Sequence, residues 1–415
     1  MNKLAQISLI ASTAGLATAG SLELDRSYAA DLRSDASSRA LLANNGAGVQ
    51  VDVGMRFNYT INSRDDMGLA NPDDDTTIGF SFDDVEVRLS GDVTDNISAT
   101  VSFDFGEDDG VSGNTAVNLE DAYADWAIND GLTLRIGQFV PQFSAEASTS
   151  EYHMTNGERS VSHEWLATPS WTQGIEVHFG GDTWSGAIGF NDGPGTWSTA
   201  FNAATEADYA FNARFDFFSD SDKGRFADQT SWRGSAAGWR LGAGVIFATY
   251  GETNPSSTTA GADAFWYTID GAYEGDGWAV RAAFYGNSVS PDSGADTDSY
   301  GMEIGASMFF DDQWEGYVRF DYVAIEDNGL AAGVNDDYSF ISGGVNYYMV
   351  PESHAAKMQF ELGFALDETS GAMGALTGAA PTGTTPIGGG GSGTGFLGSD
   401  DSGELYASIR ATFMF

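Results

Sequence analysis

The strongest constraint on the fold is a strict alternation of apolar and polar residues, first seen in GVQVDVGMRFNYTI at residues 48–61. Successive side chains of an extended strand point to opposite sides of the sheet. Val49, Phe57 and Ile61 therefore share one face with the other apolar residues, and Asp52 lies on the opposite face with its polar neighbours. The two faces of this strand must meet different surroundings.

The same alternation recurs along the chain, and most of the segments are about ten residues long, the length of a tilted strand that crosses a membrane. All nine prolines fall outside these segments, as expected for strands hydrogen-bonded on both edges. The pattern predicts an all-β fold, a transmembrane antiparallel β-barrel of about 16 strands. The segments are 48–61, 78–91, 97–106, 118–128, 132–139, 173–180, 184–190, 206–218, 238–249, 263–274, 278–288, 300–310, 314–325, 338–349, 355–366 and 403–415.

The connections between the segments alternate in length. Most of the even-numbered connections are turns of three to five residues, whereas long acidic loops such as 62–77, 287–299 and 367–402 lie between them. Short turns on one rim and long loops on the other are typical of outer-membrane barrels. Four tryptophans lie next to short turns, where an interfacial aromatic girdle is expected. They are Trp126, Trp184, Trp278 and Trp314.

Charged residues within the segments test the assignment of the two faces. All nine basic residues lie on the polar face; near the membrane midplane a lipid-facing Arg or Lys would cost about 2 to 4 kcal/mol. Most acidic residues share that face, and only Glu120 and Glu274 are predicted to be out of phase. A barrel of sixteen strands is too wide for side chains to fill, so the polar face should line an aqueous pore. The predicted pore-lining residues are Arg56, Arg88, Arg135, Arg214, Arg240, Arg281, Arg319, Arg410, Asp52, Asp104, Asp125 and Glu176.

The first residues of the chain match a secretory signal peptide. Lys3 precedes an apolar run that ends at the small residues Ala17-Thr18-Ala19, which predicts export and cleavage after Ala19. Residues 20–46 break the alternation and are mildly helical, so we expect a partly helical periplasmic extension, with an oligomerising helix as the alternative. The predicted organisation is a signal peptide at 1–19, an extension at 20–46 and a barrel at 47–415.

Composition narrows the partners. The chain has 18 basic and 60 acidic residues and a formal charge of −42, which argues against nucleic acid and favours cations. Its hydrophobic content of 42% and aromatic content of 13% are too high for a disordered acidic chain. Cysteine is absent, so neither disulfides nor thiolate ligands are available.

Catalytic and metal-binding motifs are weak. The four histidines, at positions 153, 163, 178 and 354, do not form an H-E-x-x-H pattern, and no G-x-S-x-G motif is present. We therefore predict no enzyme activity and no cofactor. Acidic clusters at Asp73–Asp75, Glu107–Asp109 and Asp336-Asp337 can bind Ca²⁺ loosely, although none has EF-hand spacing.

Residues 119–146, LEDAYADWAINDGLTLRIGQFVPQFSAE, resemble the phosphate-selective porin O and P family of outer-membrane channels. The matching elements continue with Glu158-Arg159-Ser160 and Gln173-Gly174-Ile175. The resemblance implies a homotrimeric sixteen-stranded barrel in the bacterial outer membrane, with the loop at 143–172 folded inward to narrow the pore. The predicted constriction residues are Glu146, Glu151, Glu158 and Arg159.

The chain departs from the phosphate-selective members in its charge. Those channels carry ladders of Arg and a Lys cluster, whereas this chain has three Lys in all, and Val140 stands where many relatives have a Lys. Acids and bases on opposite walls would produce a transverse field and a mild preference for cations. We therefore expect an outer-membrane porin for the passive diffusion of ions and small hydrophilic solutes, with weak cation preference.

Three other interpretations are open at this point. The first is an anion-selective or phosphate-selective channel, as in the family. The second is a surface or adhesin barrel whose acidic loops are bridged by Ca²⁺. The third is a secreted acidic β-sandwich that binds carbohydrate, which would stay soluble without detergent, because a sandwich turns its apolar face inward.

Overall fold

The computed structural model describes residues 48–64, 76–105, 117–167, 169–201, 203, 206–251, 261–325, 335–369, 394–399 and 401–415. The predicted signal peptide and N-terminal extension lie outside the described residues. The acidic clusters at 73–75 and 107–109 lie outside them as well.

One closed antiparallel sheet makes up most of the described chain. Consecutive strands pair along the sequence, except that β2 and β3 both pair with β1, and the last strand pairs with the first, so the sheet closes on itself. The strands are β1 (Val49–Ser63), β2 (Thr76–Asp84), β3 (Glu86–Thr94), β4 (Ile97–Asp104), β5 (Asn118–Asn129), β6 (Leu132–Phe139), β7 (Thr172–Gly181), β8 (Trp184–Asn191), β9 (Tyr209–Phe218), β10 (Gly238–Tyr250), β11 (Ala262–Gly275), β12 (Trp278–Pro291), β13 (Thr297–Phe309), β14 (Trp314–Ile325), β15 (Asp337–Tyr348), β16 (Ala356–Ala365) and β17 (Leu405–Met414).

The barrel has sixteen strands, because β2 and β3 are two halves of one strand. Both halves pair with β1, which meets β3 through Val49–Val53 and β2 through Arg56–Ser63. A β-bulge at Asp83 precedes the break at Val85, because Phe57 pairs with Phe82 whereas Arg56 pairs with Asp84. The prediction of a sixteen-stranded transmembrane barrel is confirmed.

The alternation of the sequence separates the outside of the barrel from its inside. Phe80 is 70% exposed on the outer surface, whereas Arg56 is 3% exposed inside. Trp126, Trp278 and Trp314 are exposed on the outer surface beside the short turns, where an aromatic girdle was predicted.

Two details of the predicted strands are wrong. Pro291 is the last residue of β12, paired with Ala262; a strand end tolerates proline because little of the ladder depends on its missing N–H. Glu274 is 3% exposed and lies on the same inward face as Asp270, from which it is four residues distant. The alternation is therefore unbroken in β11.

Glu120 also points inward, because β5 has a bulge. Val101 pairs with Ala122 and Phe103 with Leu119, so Glu120 and Asp121 together oppose Ser102. The Ser102 hydroxyl donates to Glu120 Oε2 at 3.3 Å and accepts from the Asp121 amide at 3.1 Å. The extra residue turns two consecutive carboxylates into the barrel. The prediction that Glu120 is out of phase is therefore wrong.

Two of the described connections that contain helical turns enter the barrel. The inner loop, residues 143–171, contains α1 (Ala145–Ser148), a 3₁₀ turn (Glu151–His153) and α2 (Val161–Leu166). The strap, residues 219–237, joins β9 to β10 at the rim that carries the short turns and contains a second 3₁₀ turn (Lys223–Ala227). Within the described chain, no helix has the length and apolar character needed to cross a membrane.

Candidate functional site: an off-centre channel beside the inner loop

The inner loop is bound tightly to one side of the barrel interior, which we call the docked wall (β11–β17 and β1). Arg319 donates to the carbonyls of Glu158 and Arg159 at 2.8 and 3.0 Å, and Lys357 donates to Met154 O at 2.7 Å. Charged donors to carbonyl oxygens form stronger hydrogen bonds than neutral donors do. The basic residues of this wall therefore anchor the loop.

Carboxylates of the wall and of the loop complete the anchoring. Glu361 accepts from the Gly157 amide at 2.8 Å, and Asp270 accepts from the Ala145 amide at 3.1 Å. Arg410 bonds the Glu158 carboxylate and also Asp83, the latter at 2.7 Å. Buried charges are stable only when paired in this way, so loop and wall depend on each other.

Two glutamates of the inner loop have opposite pKa shifts. At Glu146, burial is outweighed by the charges of His163 and Arg319 and by two hydrogen bonds from Ser160, which lower its pKa to about 2. At Glu158, burial prevails over the nearby Arg410 and raises the pKa to about 7. Glu146 is therefore charged at every physiological pH, whereas Glu158 titrates near neutrality.

The apolar end of the inner loop packs on the docked wall as well. Trp165 is 1% exposed and contacts Tyr338 and Phe340 edge to face, with ring centroids 5.6 and 5.4 Å apart. Such contacts stabilise a buried aromatic ring beyond its area alone. The loop is fixed at both its polar and its apolar parts.

The opposite side of the interior, which we call the open wall (β2–β10), borders a cavity of about 840 Å³ next to the inner loop. Its lining combines strand residues with loop residues such as Glu151, Arg159 and Glu164. The cavity thus lies on the side of the open wall.

Carboxylates outnumber basic groups in this cavity. Among the residues that the structure describes, ten acidic and five Lys or Arg residues line it. The acids are Asp83, Asp84, Glu86, Asp104, Glu120, Asp121, Glu151, Glu164, Asp216 and Asp222; the bases are Arg135, Arg159, Arg214, Lys223 and Arg240.

The predicted pore-lining residues divide between the two sides. Arg135, Arg214, Arg240 and Asp104 line the cavity. Arg56, Arg281, Arg319 and Arg410 contact the inner loop on the docked wall. Arg88 pairs with Glu86 and Asp121, Asp125 with Arg135, and Asp52 accepts from Gln50. Glu176 is fully buried and accepts from the Gln142 amide.

The predicted constriction residues divide in the same way. Glu151 and Arg159 line the cavity and lie 3.2 Å apart as an ion pair. Glu146 faces away from the cavity, towards Ser160 and the Tyr285 hydroxyl, which donates to it at 3.0 Å. Glu158 faces Arg410.

Two β-bulges supply cavity residues that the alternation did not reveal. One, at the end of β2, directs Asp83 and Asp84 inward, and the other directs Glu120 inward beside Asp121. The first leaves a trace in the sequence, because the apolar positions change from even numbers at 78–82 to odd numbers at 85–89. Bulges often redirect side chains near functional sites.

The strap closes part of the short-turn rim beneath the inner loop. Gln229 Oε1 accepts from the Thr155 amide at 3.2 Å, and Thr155 Oγ1 donates to Gln229 O at 3.0 Å. Trp232 is 6% exposed and packs on Phe309 and Tyr348. Sequence reasoning missed this segment, although its aromatic residues in a polar connection were a signal of burial.

The structure brings together two histidines that the sequence did not connect. The rings of His153 and His354 lie 5.0 Å apart, and His354 is 3.5 Å from Asp228. Among the described residues, however, no group of three or more His, Asp or Glu side chains is arranged to hold a metal ion.

The family model of phosphate-selective porin O and P matches residues 53–304, which is more than half of the 415-residue chain. The chain belongs to this family. No curated protein sequence matches this porin.

Solved structures of other outer-membrane proteins have a similar fold. The porin is similar to the anion-selective porin from Comamonas acidovorans at 13% identity and a TM-score of 0.59, covering 89% of this chain and 100% of that chain. It is similar to the outer-membrane channel DcaP of Acinetobacter baumannii at 11% identity and a TM-score of 0.57. It is also similar to OmpT of Vibrio cholerae at 13% identity and a TM-score of 0.54. Each of these two alignments covers 90% of this chain and 99% of the other chain.

Family and fold together indicate the bacterial outer membrane and a channel rather than an enzyme. A closed barrel of sixteen strands is wide enough to leave room for an aqueous passage.

Proposed function

We propose that this porin is a passive channel for ions and small hydrophilic solutes, with a weak preference for cations. Solutes cross along the open wall, between the strands β2–β10 and the inner loop, driven only by their gradients. Glu151 and Arg159 border the passage where the loop is closest, in a constriction whose position Glu146 and Glu158 fix through their buried partners.

The observation that carries this proposal is the charge of the cavity lining. Among the described residues, ten acidic and five Lys or Arg side chains line the cavity, while Arg56, Arg281, Arg319 and Arg410 bond the inner loop. A passage lined by one excess sign of charge concentrates ions of the opposite sign. Cations therefore permeate more readily than anions, and the paired basic residues of the lining keep this preference weak.

The test is the reversal potential of the refolded protein in a planar bilayer under a tenfold KCl gradient, repeated with potassium phosphate. We expect stepwise conductance and a reversal potential that indicates K⁺ over Cl⁻ by about two- to fivefold, a ratio that falls as salt screens the carboxylates. A preference for Cl⁻ or phosphate would contradict the proposal and favour the anion selectivity of the family. A folded barrel without conductance would favour a surface role.

Other features of the mature protein are proposed on the sequence and the family resemblance. We propose cleavage after Ala19, a periplasmic extension at 20–46, a barrel from 47 to 415 and assembly as a homotrimer. No resident cofactor is expected, and Ca²⁺ would bind only loosely at acidic loops. The intact mass of the exported protein tests the cleavage after Ala19. The native mass of the protein in detergent tests the homotrimer.

A further inference from the structure

A pair of tryptophans borders the cavity on the open wall. The rings of Trp171 and Trp197 have centroids 4.6 Å apart at an angle of 35°, and both side chains line the cavity while remaining only partly buried. Other close aromatic pairs, such as Trp184 and Phe215, belong to the outer surface of the barrel. Indole rings that border an aqueous passage offer an apolar, electron-rich face to a passing solute.

The pair is held in place by its surroundings. The Trp171 indole N–H donates to Asp121 Oδ1 at 3.2 Å, and the Trp197 amide donates to Trp171 O at 3.0 Å. Gln173 donates to Trp197 O at 3.0 Å. One ring is hydrogen-bonded to a buried carboxylate, and the two backbones are hydrogen-bonded to each other. The Trp171–Trp197 pair, which we call the platform, is therefore formed before any solute arrives.

The platform lies next to the acidic part of the lining. Glu120 is turned into the cavity by the bulge in β5 and is partly exposed, and Asp104 ends the neighbouring strand β4. Both lie near the rim that carries the long loops, as does Trp171, which precedes β7. A solute that enters from that rim meets indole faces and carboxylates together.

This combination fits one class of ligand. A cation over an indole face is attracted by the ring quadrupole, and alkylated ammonium groups are the ligands that aromatic sites take most readily. A neutral solute would gain only the apolar contact, and an anion would be repelled by the carboxylates. The cavity of about 840 Å³ is of the size that holds small organic ligands.

We propose that Trp171 and Trp197, with the Glu120 carboxylate, form an entry site for small organic cations that carry an ammonium group and an aromatic or alkyl body. The inference deepens the proposed function, on which it rests, by naming a solute class for the cation-preferring channel. Glu120 attracts the charge, the indoles contact the cation and its apolar body, and Asp121 positions Trp171.

The experiment is single-channel recording with benzyltrimethylammonium chloride added on the side of the long loops. We expect concentration-dependent interruptions of the KCl current at millimolar concentration. Trp171→Leu and Trp197→Leu should each weaken this block about tenfold, and Glu120→Gln about threefold, as expected for loss of a cation–π or charge contact. Trp239→Leu is the matched control, because Trp239 is exposed on the outer surface and should leave the block unchanged.

Two comparisons decide the ligand class. Benzyl alcohol and benzenesulfonate have the same ring with no charge and with negative charge, and both should block at least tenfold more weakly. Equal block by benzyl alcohol, or block that survives both Leu variants, would overturn the proposal. If a Leu variant does not fold into a heat-resistant barrel, Trp171→Phe and Trp197→Phe replace it, with a smaller expected loss.

Calorimetric titration of the detergent-folded protein with benzyltrimethylammonium separates the two proposals. Binding that depends on Trp171 in a barrel without KCl conductance would refute the channel function and leave the site standing. Cation-preferring conductance without binding or block would refute the site and leave the channel function standing.

Discussion

The two sides of the barrel interior are built from the same kinds of residue and serve different purposes. On the docked wall, Arg319 and Arg410 bond the inner loop, while on the open wall Arg135 and Arg240 border the cavity. An inward-facing arginine therefore does not by itself indicate a pore-lining charge. What decides its role is whether the inner loop covers it.

The largest expected effect comes from breaking the docked wall. Arg410→Ala leaves Asp83 and Glu158 without their buried partner, and removing one member of a buried pair typically costs about 3 to 5 kcal/mol. The barrel should unfold at lower denaturant concentration, measured by the loss of tryptophan fluorescence. Open-channel current should become noisier, because the loop loses an anchor.

The control for that experiment removes an arginine from a surface ion pair. Arg233 is half exposed and lies 3.6 Å from Asp312, so Arg233→Ala should cost less than about 1 kcal/mol. Equal destabilisation by the two variants would contradict the difference between a buried anchor and a surface pair.

A second prediction concerns the strap, which supports the inner loop from below. Trp232→Ala removes a buried ring from its contacts with Phe309 and Tyr348, and such truncations cost about 3 kcal/mol or more where the gap cannot close. Because residue 229 carries the bonds to Thr155, we expect more frequent current fluctuations with little change in the ratio of K⁺ to Cl⁻ permeability. A permeability ratio shifted towards Cl⁻ with a quiet current would show that the strap acts on selectivity instead.

A third prediction compares the loss of one carboxylate from the open wall with the loss of one from the docked wall. Glu120→Gln removes a charge from the cavity and should lower the permeability ratio of K⁺ to Cl⁻ by roughly a third to a half, while leaving stability within about 0.5 kcal/mol. Glu361→Gln removes the same charge from the docked wall and should lower stability with little effect on permeability, because Glu361 binds Gly157, Tyr317 and Tyr406. The reverse outcome would mean that the walls have been assigned the wrong way round.

The last prediction is a dependence of the stability of the barrel on pH through Glu158. Its pKa is about 7 in the folded barrel against an ordinary value of 4.5, so the folded state holds the extra proton between these values. Stability should therefore fall as pH rises from about 4.5 to 7 and stay level above that range, as far as Glu158 contributes. Glu158→Gln should remove this part of the pH profile, measured as denaturation midpoints at pH 5 and 8; an unchanged profile would assign the dependence to other groups.

The strands could be predicted from the sequence because alternation is a local property that the membrane enforces. The pattern at 314–325 coincides with β14 (Trp314–Ile325), and that at 132–139 with β6. A lipid-facing charge is so costly that the two faces rarely mix.

The interior could not be read in the same way. The bond from Lys357 to Met154 joins residues 203 positions apart, and no local pattern encodes that distance. Bulges also hide from alternation, because each adds one residue and resets the phase, as it does for Asp83 and for Glu120. The inward and outward faces of the strands could be predicted from the sequence. The division of the inward face into a docked wall and an open wall could be seen only in the folded structure.

The most direct test of this division is chemical modification of single cysteines while the channel conducts, since the chain has no cysteine of its own. Ser185 lines the cavity on β8, and Ser342 lies on the docked wall, 5% exposed, next to Asn156 of the inner loop. A charged thiosulfonate reagent should reduce or alter the current of Ser185→Cys within seconds and leave that of Ser342→Cys unchanged. Rapid modification of Ser342→Cys with no response from Ser185→Cys would contradict a passage along the open wall.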